Sequence, residues 1–392
     1  MPSLRPQLAD VQPNVIFRVG AAVHGRTDII HLEYGEPFFP VAEHIVAAAQ
    51  KSLRDERQGY CPGEGMLFLR EAIAARMGRV SHIACEPDQV IATAGGTGAL
   101  MTTLLTLCSA GDDVLIPDPA WPCYDGMLLA NGARMVRYPL VAKDGWQPDF
   151  AALESLITPS AKVLLLNSPA NPCGSVFSRA TIERLVEIAE AHDLWIVSDE
   201  CYDEFSYVGE HVSPAHVASK DRVIVVGTCS KSYAMTGWRA GWLIAPRRLV
   251  RALALAATAQ INNLPLFVQR AATAALTGPQ DGVATARTFY MRHGELATQM
   301  CEQAGMPVPQ PAGAFYLLLP LERFYAETSG RTFDSVEFTD ALIAERQVAV
   351  APGAAFGSTA SGYVRISLAS SESDLRQGIA AILEFARAQN GR

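Results

Sequence analysis

Short runs of apolar, β-branched residues recur along the first two-thirds of the chain. Val90-Ile91-Ala92-Thr93, Val114-Leu115-Ile116, Val163-Leu164-Leu165-Leu166, Ile196-Val197-Ser198 and Val223-Ile224-Val225-Val226 are continuous rather than alternating, as strands buried on both faces must be. Between several of them the period becomes that of a helix. Gly98 to Leu107 is one such stretch. Thr181 to His192 is another, with Ile182, Leu185, Val186, Ile188 and Ala189 on one face and Ser178 where an N-cap belongs. Strand, helix and strand in repetition predict an α/β domain with a mostly parallel central sheet.

From about residue 285 the rhythm changes. A polar-rich helical pattern runs from Arg287 to Glu302. GAFYLLLP, a helical pattern from Ser335 to Glu345, VAVAPG, YVRISL and a last helix from Glu372 follow. Strands and helices mix here without a βαβ order, which predicts a second, smaller α+β domain. The division expected is a large α/β domain over 46–284 and a small domain over 285–392, with an N-terminal segment, 1–45, packing on the small domain. A chain of 392 residues exceeds the ~250–300 at which one core usually splits.

Composition narrows the function classes. A net charge of −8 speaks against a nucleic-acid binder, which presents a basic field. The eight cysteines are scattered without a C-x-x-C pair, and the eight histidines show no H-x-x-x-H spacing. Neither a disulfide framework nor a metal site is expected, and a reducing compartment follows. The N-terminus MPSLRPQLADVQPN has no apolar core of a leader, and no run approaches ~18 apolar residues. The expectation is a cytoplasmic protein without a membrane partner.

In open α/β sheets ligands bind beyond the carboxyl ends of the strands. Here those ends are followed by Ala94-Gly95-Gly96-Thr97-Gly98, by PDPAWPCY with Trp121, by NSPANPCG with Asn171, by SDECYDEF with Asp199 and Tyr202, and by GTCSK with Thr228 and Lys231. Each has an ordinary reading alone. The glycines can make a turn, Trp121 can be core, Asn171 can hold a turn between prolines, Asp199 can cap a helix, and Lys231, Arg239 and Arg365 can be surface charges. Together they describe a site for pyridoxal 5′-phosphate. Its aldehyde needs an amine, and Lys231 can form the Schiff base. Its ring nitrogen needs a carboxylate to stay protonated, a role for Asp199. Its ring oxygen needs donors, which Asn171 and Tyr202 offer. Its phosphate needs backbone N–H groups, hydroxyls and a guanidinium, offered by Gly95, Gly96, Thr97, Thr228 and Arg239.

These motifs resemble those of the class I/II aminotransferases, fold-type I pyridoxal-phosphate enzymes, over nearly the whole chain. LEYGEP (32–37), YCPGEGMLFLREAIA (60–74), NSPANPCG, SDECYDEF, SKSYAMTGWRAGW, PAGAFY (311–316), VAPGAAFG (350–357) and YVRISLA (363–369) occur in the family's order. The resemblance implies the fold-type I architecture and transfer of an amino group from an amino acid to a 2-oxo acid. It implies that Lys231 is the Schiff-base lysine, that Trp121 stacks on the cofactor, and that Arg365 takes the substrate α-carboxylate. Gly35, Trp121 and Asn171 then border the substrate. It also implies that Tyr60 reaches the phosphate of a neighbouring subunit, hence a homodimer with shared active sites. The sequence departs from the family at Gly95-Gly96-Thr97-Gly98, at Thr228 and at Phe38-Phe39, which either shape an apolar pocket or pack at a hinge. No second substrate arginine can be assigned. Elimination, replacement, cyclisation or oxidation of an amino acid on the same cofactor remains the alternative. A ligand sensor would need an attached DNA-binding module, and a nucleotide loop would need a G-K-[ST] ending that Gly95 to Gly98 lacks.

Overall fold

The computed structural model describes residues 13–218, 221–322, 324 and 332–388. The stretch read for a leader lies mostly outside them. The first helix, α1 (Val15–Val23), is capped by Asn14, whose side chain accepts from the Ile16 amide at 3.0 Å. It buries Val19 and Val23. Strand β1 (Ile30–His31) then pairs in parallel with Val348–Ala349. The N-terminal segment is thereby tied to the far end of the chain.

The central sheet has eight strands: β2 (Val90–Ala94), β3 (Asp113–Asp118), β4 (Arg134–Val141), β5 (Gln147–Pro148), β6 (Ala161–Asn167), β7 (Trp195–Asp199), β8 (Val223–Thr228) and β9 (Ala240–Ile244). Their order is β2-β9-β8-β7-β6-β3-β4-β5. Strands β8, β7, β6, β3 and β4 run parallel, whereas β9 is antiparallel to both its neighbours and β5 closes the edge antiparallel to β4. All five expected strands lie in this sheet, and β4, β5 and β9 join them.

Alternate residues of each strand serve two cores. Val163, Leu165, Val197, Ile224 and Val226 pack with Ala99, Leu100 and Leu104 of α2 (Gly95–Leu107). Leu164, Leu166, Ile196 and Val225 pack with Ile182, Leu185 and Ile188 of α3 (Arg179–Ala191), whose N-cap is Ser178. Each such fully buried side chain contributes about 1.5–3 kcal/mol. Helix α2 starts at Gly95, three residues before the apolar pattern, because its first turn is glycine and threonine and carries no periodic signal.

Beyond the sheet come α4 (Asp281–Gln303), β10 (Tyr316–Pro320), α5 (Ser335–Arg346), β11 (Val348–Ala349), β12 (Ala351–Pro352), β13 (Tyr363–Ser367) and α6 (Glu372–Ala388). Strands β10, β13 and β12 form an antiparallel sheet in that order. Its inner residues pack against α4, α5 and α6. The Ser367 amide donates to the Leu32 carbonyl at 2.7 Å and the Asn14 side chain donates to the Ala355 carbonyl at 3.0 Å, so the N-terminal segment lies on this sheet.

Candidate active site

Parallel strands deliver their carboxyl ends to one edge of the sheet, and antiparallel β9 delivers its amino end there. A cavity of about 680 Å³ opens at that edge. Gly96 and Thr97 follow β2, Trp121 follows β3 and Asn171 follows β6. Asp199 and Tyr202 follow β7, Thr228 and Lys231 follow β8, and Arg239 precedes β9. All of them line the cavity, joined by Gly35, Arg365 and α1. Two expected residues do not line it. Gly95 packs against Arg239, where an added Cβ would lie 2.6 Å from Nη2, and its φ of +74° suits glycine. Tyr60 is 90% exposed.

The Lys231 amine donates to the Gly35 carbonyl at 2.7 Å. Gly35 can hold that place only without a side chain, since a Cβ would lie 2.5 Å from the Tyr316 hydroxyl. Asp199 is buried. Its Oδ2 accepts from the Tyr124 hydroxyl at 2.6 Å and its Oδ1 from the Cys201 amide at 3.2 Å. Burial pushes its carboxyl above the usual range, and the Cys201 and Tyr124 hydrogen bonds only partly offset this. A carboxylate so placed is short of positive charge, which a protonated ring nitrogen would supply.

Arg365 is the mirror case. It is fully buried between the rings of Tyr316, at 4.4 Å, and Phe356, at 4.9 Å. It donates to Asn171 Oδ1 at 3.0 Å and to the Glu33 carbonyl at 2.5 Å. Its Nε lacks a partner, and burial lowers its pKa. Among the described residues no carboxylate side chain pairs with it, so the site is built to receive an anion. At the other end of the cavity Arg239 donates to the Thr236 carbonyl at 2.8 Å and approaches Thr97 Oγ1 at 3.5 Å. The amino end of α2 and the Thr228 and Ser230 hydroxyls lie beside it. That combination of amides, hydroxyls and guanidinium suits a phosphate. An amine, a buried acid, a stacking ring and an anion cradle therefore fit pyridoxal phosphate as a set.

Three lining or supporting side chains were not singled out by the motifs. Tyr316, on β10, shares a 2.7 Å hydrogen bond with the Tyr202 hydroxyl while its ring covers Arg365. Tyr124 is fully buried and donates its hydroxyl to Asp199. Cys201 lines the cavity, and a Cβ on Gly96 would meet its sulfur at 2.8 Å. Phe38 and Phe39 pack on Phe289, at 5.0 Å each, and do not line the cavity. They are packing residues.

Beneath the Asp199 loop lies a buried polar cluster. Arg76 forms a bidentate pair with Asp203 at 2.5 and 2.8 Å, and His211 meets Glu200 at 3.0 Å. Burial pushes Asp203 up, but the Arg76 guanidinium outweighs it and holds the carboxyl below its usual value. The cluster fixes the backbone that carries Asp199 and Tyr202.

The comparisons with known proteins agree with this geometry. Residues 27–382 match the family described as aminotransferase class I and II. The chain is 35% identical over 363 residues to an aspartate/prephenate aminotransferase of Thermus thermophilus, covering 92% of this chain and 91% of that one. It is 34% identical to an arginine–pyruvate transaminase of Pseudomonas aeruginosa, over 93% and 91% of the two chains. Its structure superposes on a Thermus thermophilus aspartate aminotransferase with maleate at a TM-score of 0.91, with 32% identity, over 98% of this chain and 100% of that one.

Proposed function

The chain belongs to the aminotransferases of class I and II, and from that premise we propose how its residues divide the work. The protein is a pyridoxal-phosphate-dependent enzyme that moves an amino group from an amino acid to a 2-oxo acid. When bound, the cofactor supplies an aldehyde that captures amines and a ring that withdraws electrons from the substrate Cα. Lys231 would hold the cofactor through its amine, and the same amine, next to the Gly35 carbonyl, would move the proton at the substrate Cα. Asp199 would keep the ring nitrogen protonated, with Tyr124 orienting the carboxylate. Tyr202 and Asn171 would offer donors to the ring oxygen, and Trp121 would cover the ring. Gly96, Thr97, Thr228 and Arg239 would hold the phosphate. Arg365 grips the α-carboxylate as a fork, which fixes the Cα–H bond relative to the ring.

The observation that carries this division is the convergence of Lys231, Asp199 and Arg365 on one cavity. The test is a half-reaction. Incubated with an amino donor and no oxo acid, the enzyme forms about one equivalent of oxo acid per site and stops. Continued turnover would point to elimination or oxidation. Lys231→Ala loses the reaction and the visible absorbance of bound cofactor. A fully active Lys231→Ala enzyme would overturn the assignment.

The working unit in this reading is a homodimer, in which Tyr60 reaches the partner's cavity. Its support is the 90% exposure of Tyr60 and the exposed Leu67 and Ile261. Tyr60→Ala is expected to weaken cofactor binding in equilibrium dialysis, and sedimentation reads the dimer directly. A large domain over 46–284, a small one over 285–392 and an N-terminal segment over 1–45 complete the reading. Among the described residues no helix is long and apolar enough to cross a membrane, and no cysteine is disulfide-bonded. A cytoplasmic location belongs to the same reading.

A further inference from the structure

The cavity extends past Lys231 to a wall that the reaction steps do not use. Helix α1 presents Ile16, Phe17, Gly20, Ala21 and His24 to it. Steps of one, three, one and three residues make a single stripe along a helix. Its Val19 and Val23 are turned away and buried. An apolar helix face left open is unusual for packing, and Phe17 on it is 56% exposed. Gly20 sits mid-stripe and leaves room, since an added Cβ would meet only the Tyr34 ring, at 3.9 Å. The Tyr34 hydroxyl reaches back to the Gly20 carbonyl at 3.5 Å and closes that side.

The charges point the same way. Among the described residues the lysines and arginines lining the cavity are Lys231, Arg239 and Arg365, and the reaction occupies each of them. The carboxylates there are Asp199, which the reaction also occupies, Glu33 and Glu36. A substrate side chain ending in a second carboxylate would lose its water without gaining a guanidinium or ammonium partner. It would also face like charge.

We infer that the amino donor carries a large apolar side chain, aromatic or long aliphatic, seated on the α1 stripe, with Gly20 as its specificity-determining residue. This rests on the aminotransferase reading, but its failure is separable. If no donor yields oxo acid, that reading falls. If aspartate, glutamate or arginine is used as well as phenylalanine or leucine, only the present inference falls. The expected ratio of kcat/KM for phenylalanine over aspartate is on the order of 100-fold.

A binding measurement needs no turnover. Thermal stabilisation of the holoenzyme by 3-phenylpropanoate is compared with that by succinate, each able to place one carboxylate on Arg365. The aromatic acid is expected to bind tighter, and tighter succinate binding would overturn the inference. Gly20→Leu fills the stripe and lowers affinity for 3-phenylpropanoate about tenfold, with Gly20→Ala intermediate. Far-UV circular dichroism of both variants checks their fold. Unchanged affinity in a folded Gly20→Leu enzyme would also overturn it.

Discussion

Replacing Tyr124 by phenylalanine removes one oxygen and keeps the ring that packs edge-on to Trp121 at 5.5 Å. The lost group is the 2.6 Å donor to Asp199 Oδ2, and both partners are buried. A hydrogen bond to a charged, buried acceptor contributes about 1.5–3 kcal/mol. All of that favours the ionised form, so its loss raises the Asp199 pKa further. Asp199 already lies above the usual carboxylate range because of burial. The variant therefore loses the charged form at a higher pH than the parent. The acid limb of kcat/KM against pH moves up, while the alkaline limb stays in place. In the cofactor-free protein the sign is opposite to that of a paired carboxylate. A folded-state pKa above the unfolded one stabilises the fold below the ordinary carboxylate pKa, and that contribution is lost as pH rises through the raised value. Tyr124→Phe widens that window upward. The assay is a pH–rate profile, with denaturation of the cofactor-free form at two pH values beside it. An acid limb that does not move in a well-folded variant would show that Tyr124 does not govern the charge of Asp199.

Other perturbations are equally direct. Asp203→Ala removes the bidentate partner of buried Arg76 and leaves it Glu204 alone, at 3.2 Å, and should cost about 1.5–3 kcal/mol in urea denaturation. A loss under about 1 kcal/mol would mean that water reaches the cluster. Arg365→Lys keeps the charge but loses the fork to Asn171 and the Glu33 carbonyl. It is expected to lower kcat/KM by about 2 kcal/mol, roughly 30-fold, for every donor alike. A loss confined to one donor would place Arg365 at the side chain instead. Gly35→Ala drives a methyl into the Tyr316 hydroxyl and displaces the carbonyl that holds Lys231. Steady-state kcat should fall at least about tenfold, and parental kcat would show that the loop yields freely.

The interior of the sheet was legible because β3, β6, β7 and β8 are buried along nearly their whole length, Lys162 and Trp195 excepted, and their centres take apolar residues in continuous runs. Strand β4 was not, since its first residues are exposed and Arg134, Arg137 and Pro139 interrupt its pattern. Strand β9 was hidden for another reason: its residues read as the tail of the lysine motif. Helix α1 is only nine residues long, and its apolar side chains divide between the core and the cavity. The site was legible where topology supplies it, at the strand ends. Its supports were not. Tyr316 meets Tyr202 across 114 positions and Tyr124 meets Asp199 across 75, and no local spacing encodes either pairing.

The stretch from Ile30 to Gly35 is synthesised long before the residues that pair with it. Its hydrogen-bonding groups wait for Val348, Ala349, Arg365 and Ser367. Its Gly35 carbonyl then steadies Lys231. At ordinary elongation rates, on the order of ten seconds separate the emergence of Lys231 from that of Arg365. During that interval a nascent chain carries its reactive amine without the loop that aims it. The geometry thus makes competence for chemistry a late event in biogenesis, reached only when segments 332 positions apart have been stitched together.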